Sequence, residues 1–235
     1  MNRLLSVWKR LWIDKSVFKF IAVLSMICDH FAIVYGRLVG FDTLYYIGRC
    51  FGRLAFPIFA FFIVDGFWRT SDRKKYFLRL LCLAILSEIP YNIFVSGNLI
   101  DWSNKNVVFT YVIGFLMIEV LSRLDKRTFW NVAGYMFVFM LVAELIGADY
   151  GACGLLLIGA FFLWPLGYKD TTWIYFLIVA AFVVEFGAMS ILVGVSLLLL
   201  SRYFFWFSFG SKYKRFAFYL FYPLHLLLLS VFWLI

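Results

Sequence analysis

Residues 47–68, IGRCFGRLAFPIFAFFIVDGFW, decide the fold of this chain. An α-helix needs about 20 mostly apolar residues to cross the hydrocarbon core of a bilayer, and this run is long enough. Three charged side chains interrupt it, namely Arg49, Arg53 and Asp65. Because charges are costly inside a bilayer, those that occur there usually face the protein interior and have a purpose. The stretch therefore predicts a membrane-spanning helix that carries candidate functional groups.

The rest of the chain has the same apolar character. Of its 235 residues, 65% are hydrophobic and only 15% are charged, and the mean hydropathy is +0.92. A soluble domain is about 45–50% apolar and about 25% charged. These values exclude a soluble enzyme and a disordered chain. They also argue against a nucleic-acid binder despite the net charge of +9, because the Lys and Arg residues form short clusters between apolar runs.

Nine apolar runs predict an all-α fold, a polytopic transmembrane helical bundle with about nine spanning helices. The runs lie near residues 18–36, 47–68, 76–96, 107–122, 129–147, 152–167, 172–187, 189–205 and 215–235. The fourth and sixth runs are short, so we expect them to tilt differently or to span only partly. Glu185, Gly187 and Ser190 indicate a turn, although one long helix with a re-entrant piece is an alternative there.

The basic residues predict the orientation of the bundle, because Lys and Arg concentrate on the cytoplasmic side of membrane proteins. With the N-terminus inside, 18 of the 22 Lys and Arg residues lie on the inner side. The four on the outer side are Arg37, Arg49, Arg53 and Lys105. We therefore predict an inside N-terminus and an outside C-terminus. Residues 1–17 are expected to form an amphipathic segment on the inner leaflet, and residues 18–235 a single transmembrane domain.

Polar residues from six segments are predicted to share one depth, near the outer face. They are Asp29, His30, Arg49, Arg53, Glu88, Tyr91, Asn92, Asn106, Thr110, Asp149, Tyr150 and His225. Polar residues that served only to pack scattered helices would not be expected to share a depth. The convergence therefore predicts a functional site. The residues expected to bind substrate there are Arg49, Tyr91, Asn92, Asn106, Thr110, Asp149, Tyr150 and His225.

Two histidines, His30 and His225, are the only ones in the chain. Histidine exchanges protons near neutral pH without any shift of its pKa, so each is either a general base or a packing residue. Zinc bound by Asp29 and the two histidines is less favoured, because neighbouring residues on a helix point about 100° apart. We therefore expect no metal.

The arginines Arg49 and Arg53 are four residues apart and project from one helix face. Like charges at that spacing repel, so acids or a bound anion should lie between them; the candidate acids are Asp29, Glu88 and Asp149. Glu88 in particular is expected to pair with Arg53. The alternative for both arginines is snorkelling at a helix end.

Several motifs, in this order, resemble the TraX family of conjugative-pilus membrane proteins, which is linked to N-terminal acetylation of pilin. They are Met26–His30 (MICDH), Gly48–Phe61 (GRCFGRLAFPIFAF), Ser87–Asn92 (SEIPYN), Asn106–Thr110 (NVVFT) and Asp149–Gly151 (DYG). The resemblance covers about residues 18–235, and Gly48–Phe61 is its most specific part.

The resemblance implies a reaction, because TraX proteins are similar to the acyltransferase-3 group of membrane enzymes. It implies acetyl-CoA or another acyl-CoA as donor, an extracytoplasmic peptide or glycan as acceptor, and a bacterial cytoplasmic (inner) membrane location. By the same resemblance His30, Arg49 and Arg53 take the positions of the early membrane histidine and arginines of that group. For such an enzyme we expect His30 to be the general base, Arg53 and Arg49 to bind or stabilise negative charge, and Asp29 and Glu88 to position these groups. A proton-coupled transporter or flippase, and a structural or assembly protein, are the alternatives.

Overall fold

A computed structural model describes residues 15–40, 42–164, 166, 172–201 and 212–231, with only the backbone described at 212–219. Within these ranges the chain is helical and contains no strand beyond one isolated bridge between Lys105 and Ala148. This confirms the all-α prediction for the described part. The predicted amphipathic segment lies outside the described residues except for its last three positions.

The helices follow the apolar runs of the sequence. They are α1 (Lys15–Leu38), α2 (Thr43–Gly52), α3 (Ala55–Arg69), α4 (Arg73–Ser96), α5 (Val107–Ser122), α6 (Phe129–Leu145), α7 (Gly151–Leu163), α8 (Thr172–Phe186), a 3₁₀ turn (Ala188–Ile191), α9 (Leu192–Leu200) and α10 (Lys212–Ser230). Within the described ranges, three helical segments are long and apolar enough to cross a membrane, namely α1, Thr43–Arg69 and α4. The remaining apolar helices are shorter.

Short polar connections set where the helices begin and end. Asp42 accepts hydrogen bonds from the backbone N–H groups of Leu44 and Tyr45 at 2.9 and 3.2 Å and so caps α2. Asp72 caps α4 by accepting from Lys75 N–H at 2.9 Å. These side chains satisfy backbone donors that a helix start leaves without partners.

A tight turn at residues 53–54 divides the second predicted span into α2 and α3. Arg53 N–H donates to the carbonyl of Cys50, and Leu54 N–H donates to that of Phe51, both at 3.1 Å and three residues back. Pro57 has no N–H with which to reach the carbonyl of Arg53, so an uninterrupted α-helical ladder cannot form here. The interruption places Arg53 where the helix is irregular.

The predicted turn in the region of residues 172–205 is present at Gly187. This residue has φ of +76°, which glycine adopts readily, and α8 ends immediately before it. A 3₁₀ turn and α9 follow. The described chain is therefore broken here and does not continue as one helix.

The chain forms two compact units, each built from separate stretches of sequence. The first comprises residues 1–59 and 166–210, and within it α1 packs along α2. The second comprises residues 60–165 and 211–235, and within it α5 packs against α4, α6 and α7, while α10 packs on α4. The single domain over residues 18–235 stays a prediction.

Candidate functional site

In the first unit, α1 and α2 bring an acid and a base together within the apolar segments. Arg49 Nη1 donates to Asp29 Oδ2 at 2.5 Å, and each side chain is only 17% exposed. Arg53 lies within electrostatic range of the same carboxylate, and its guanidinium is 5.2 Å from the centroid of the Phe186 ring. Arg49 is thus engaged by Asp29, the first of the three acids named as its candidate partners.

Two glycines of α2 make this close approach possible. A Cβ on Gly52 would collide with the carboxylate of Asp29, and one on Gly48 would lie 2.6 Å from Cβ of Ala32. Small residues four apart allow helices in a membrane to approach closely. The Gly48-x-x-x-Gly52 spacing is visible in the sequence and could have predicted this close packing of α1 and α2.

The carboxylate of Asp29 has one oxygen that its ion pair does not use. Oδ1 is buried, and no donor in the described part of the chain hydrogen-bonds to it. A buried carboxylate oxygen without a donor is costly, so such an atom is a natural contact point for a ligand or a proton. His30 is the next residue on α1 and is partly buried.

In the second unit, Glu88 of α4 lies at the start of α5. Asn106 donates to Glu88 Oε2 through its side-chain Nδ2 at 2.7 Å and through its backbone N–H at 3.3 Å. Lys105 Nζ lies 3.1 Å from Oε1, with both side chains less than one-fifth exposed. The ion pair observed for Glu88 is therefore with Lys105, whereas the sequence predicts Arg53 as its partner. Lys105 was missed because only its outer position was visible in the sequence.

The side chains of Asn106 and Thr110 are fully buried, and both form hydrogen bonds with backbone groups. Asn106 Oδ1 caps α5 by accepting from Val108 N–H at 3.0 Å, and its Nδ2 donates to the carbonyl of Ala84 at 2.9 Å. Thr110 Oγ1 donates to the carbonyl of Asp149 at 2.7 Å. These two predicted binding residues thus hold the start of α5 against its neighbours.

The turn that carries Asp149 and Tyr150 is tightly wound. Tyr150 has φ of +62°, and the flanking Gly147 and Gly151 have φ of +66° and +35°. Asp149 N–H donates to the carbonyl of Lys105 at 3.1 Å, which joins this turn to the segment that contacts Glu88. Such a positive φ is uncommon for a residue other than glycine. Tyr150 adopts it immediately before α7 begins at Gly151.

Tyrosines complete this cluster. Tyr91 and Tyr222 both lie within electrostatic range of Asp149 and Glu88. Tyr222 lies three residues before His225 on α10. Asn92 is buried; its Nδ2 donates to the carbonyl of Leu99 at 3.4 Å, and no described donor hydrogen-bonds to its Oδ1.

The second histidine, His225, interacts with its own helix. Its Nδ1 lies 2.9 Å from the carbonyl of Phe221, and its ring stacks on the Phe221 ring at a centroid distance of 4.9 Å. Both contacts are those of a packing residue. A role in binding substrate stays a prediction.

The predicted residues are divided between the two units. Asp29, Arg49 and Arg53 share one unit with His30, and the others lie in the second unit, where Glu88, Asn106, Thr110 and Asp149 are joined by direct contacts or through Lys105. The single shared depth stays a prediction. Within the described residues, no group of three or more His, Cys, Asp or Glu side chains is placed to hold a metal ion.

Comparison with known proteins extends over almost the whole chain. The family model described as "TraX protein" matches residues 14–233. The chain is 29% identical, over 253 aligned positions, to "Probable fimbrial assembly protein FimC, serogroup H1" of Dichelobacter nodosus. That alignment covers 92% of this chain and 95% of the relative. No solved structure matches the chain.

Proposed function

This chain belongs to the TraX family, and we propose that it is an integral membrane acyltransferase. It transfers an acyl group, acetyl in the first instance, from acyl-CoA to an amine or hydroxyl of an extracytoplasmic acceptor. The family is associated with pilin acetylation, and the apolar helices fit a membrane protein. Nine spanning helices, an inside N-terminus and a bacterial inner-membrane location are parts of the same proposal.

The observation that carries the proposal is the ion pair between Asp29 and Arg49 inside long apolar helices, with His30 beside it. Charged groups within a membrane protein mark sites of function more often than sites of packing. Arginines near a buried site are suited to carboxylate, phosphate or a developing oxyanion. Arg53 is proposed to stabilise the anionic transition state, while Asp29 holds Arg49 in place.

The reaction needs one base and one place for negative charge. His30 would take the proton of the acceptor amine or hydroxyl as the acceptor attacks the thioester carbonyl carbon. The new bond to that carbon forms as the carbon–sulfur bond breaks, and the departing thiolate takes up a proton. A positioned general base is worth about 10²–10⁴-fold in rate.

A direct test measures transfer by the purified protein in lipid nanodiscs. Labelled acetyl-CoA and candidate cell-envelope acceptors, pilin peptides and glycans among them, are supplied, and the products are identified by mass spectrometry. We expect His30→Ala to lower the transfer rate about 100-fold or more. Wild-type transfer by His30→Ala would exclude the assigned base, and failure of the wild-type protein to bind acyl-CoA would exclude the proposed reaction.

The name of the relative favours a second candidate, a role in assembling a fimbria without acyl transfer. The same experiment separates the two. A protein that binds pilin subunits but neither binds nor consumes acetyl-CoA would be an assembly factor, and proton-coupled movement of a substrate would instead indicate the transporter alternative.

A further inference from the structure

The second unit carries an aromatic cluster at one end of its helices. Here α3, α5 and α7 end while α4 and α6 begin. The aromatic platform consists of Phe67, Trp68, Phe115 and Phe162. The Phe67 ring lies 5.4 Å from Phe115 and 5.9 Å from Phe162, and Trp68 stacks on Phe162 at 5.2 Å with only 5° between the planes.

One ring of the platform is open to the surroundings. Trp68 is 54% exposed, whereas the three phenylalanines are buried. The buried rings hold the indole plane in a fixed orientation, because Trp68 stacks directly on one of them. A fixed and exposed indole face is the feature on which a nucleobase stacks.

Two guanidinium groups lie over the same platform. The Arg73 guanidinium is 4.1 Å from the centroid of Phe67, and that of Arg127 is 5.5 Å from the centroid of Phe162. A guanidinium that stacks on an aromatic ring presents its N–H groups at the edge, where phosphate can bind. Here Arg73 also donates to Glu119 at 3.1 Å, and Arg127 donates to the carbonyl of Ser122 at 3.4 Å. The platform therefore combines a stacking face with phosphate-binding groups.

The cations around the platform exceed the acids available to them. Arg73 lies 3.1 Å from Glu119, and the same carboxylate pairs with Arg123. Within the described residues, no carboxylate lies within ion-pair distance of Arg127. The segments 65–79 and 119–127 together hold eight Lys and Arg residues against four acids, one of which, Asp65, pairs with Arg69.

We propose that this platform binds the adenine nucleotide part of acyl-CoA, with adenine on Trp68 and phosphates on Arg127 and Arg73. The inference rests on the proposed function, which requires an acyl-CoA donor. The basic segments are those assigned to the cytoplasmic side by the charge bias of the sequence, and acyl-CoA is found on that side.

A nucleotide fits the platform better than a lipid headgroup. An anionic lipid headgroup binds to cations and does not require an aromatic ring on which to stack. An aromatic residue that only anchors the protein at the membrane interface would not need to lie beside these cations. Trp130 offers the comparison, because it begins α6 at the same end and is 80% exposed, and its ring contacts Phe129. Trp68, in contrast, stacks on Phe162, and the guanidinium of Arg127 lies over the same phenylalanine ring.

The experiment measures the Kd of acetyl-CoA for the full-length protein in nanodiscs, with adenosine 3′,5′-bisphosphate as competitor. Loss of one base–aromatic stack should raise the Kd of Trp68→Leu about 5- to 150-fold. Loss of a charge-assisted phosphate contact should raise that of Arg127→Gln about 10-fold. Trp68→Phe should restore most of the affinity, and Trp130→Leu should leave it unchanged.

The outcomes are distinguishable. Acetyl-CoA binding and transfer that are unaffected by Trp68→Leu and Arg127→Gln would overturn this assignment and leave the proposed function intact. If the wild-type protein binds neither acetyl-CoA nor the bisphosphate, both fail. A second arm measures binding of phosphatidylglycerol in nanodiscs of phosphatidylcholine; variants that lose this lipid but keep acetyl-CoA would show a lipid site and overturn the nucleotide assignment.

Discussion

Removing the arginine of the ion pair in the first unit should destabilise the protein much more than removing an exposed charge. In Arg49→Met, Asp29 stays buried and loses the donor that lies 2.5 Å from its Oδ2. In the double variant Asp29→Asn/Arg49→Met both charges are gone. The double variant should therefore be more stable than Arg49→Met alone.

The magnitude follows from the burial of the pair. Breaking a buried ion pair from one side costs about 3–5 kcal/mol. Each partner keeps 17% exposure, and Arg53 lies within range to compensate part of the charge. We therefore expect a cost at or just below the lower end of that range, about 2–3 kcal/mol for Arg49→Met, which corresponds to a fall in Tm of about 5–10 °C for a chain of this size.

A double-mutant cycle measures the interaction itself. Thermal unfolding of the wild-type protein, both single variants and the double variant is recorded in one detergent, and the departure of their Tm values from additivity gives the coupling. The matched control is the cycle between Asp72 and Lys75. This pair also joins an aspartate to a cation, here a lysine, but its side chains are 43% and 78% exposed, so its coupling should be below about 1 kcal/mol.

The reasoning fails if the two cycles give equal coupling. It also fails if Arg49→Met is as stable as the wild-type protein, because a buried carboxylate cannot lose its donor without consequence. Equal coupling would mean that Arg49 reaches water and snorkels, which was the alternative considered for it from the sequence.

Three further predictions test other parts of the structure. Gly52→Ala should lower the Tm, because its Cβ would collide with the carboxylate of the ion pair just discussed, while Gly134→Ala, which has open space, should leave the Tm unchanged or raise it. Glu88→Gln should destabilise by about 1–3 kcal/mol, because Lys105 loses its counter-charge; a Tm equal to that of the wild-type protein would contradict this. Ser103 donates hydrogen bonds to the carboxylate of Asp101 through its backbone N–H and its hydroxyl, and these bonds hold the pKa of Asp101 below its usual value. The stabilisation is therefore present above about pH 4 and is lost as the pH falls through the folded-state pKa. Tm measured from pH 7 to 3 should fall less for Asp101→Asn than for the wild-type protein.

The positions of the helices were predictable because an apolar run long enough to cross a bilayer has few other stable conformations. The interruption at residues 53–54 was not predicted, although Pro57 was visible. Proline is tolerated in the first turn of a helix as well as at a kink, so its presence alone does not say that a new helix begins at Ala55. The break depends on the carbonyl of Arg53, which only the structure locates.

The pairing of charges was harder to predict than their presence. Asp29 and Arg49 are 20 residues apart, and the sequence named them as candidate partners because both were placed at one depth. Lys105 lies in the loop before α5 and pairs with Glu88 in place of Arg53. The path of that loop cannot be derived from hydropathy. Loop residues therefore escape an argument that is built on spans and depth alone.

The hydrogen bonds of the predicted residues give an order in which to test them. The side chains of Asn106 and Thr110 form hydrogen bonds with backbone groups, and Asn106 also donates to Glu88. Their substitution should therefore lower the stability of the protein more than its rate of acyl transfer. Asp29 and Asn92 each bury one oxygen to which no described donor hydrogen-bonds. Native proteins seldom leave such atoms unsatisfied without a reason, and a bound substrate group is one such reason. A conservative change that keeps the shape, Asp29→Asn or Asn92→Asp, should therefore affect substrate binding or turnover more than a matched change at Asn106.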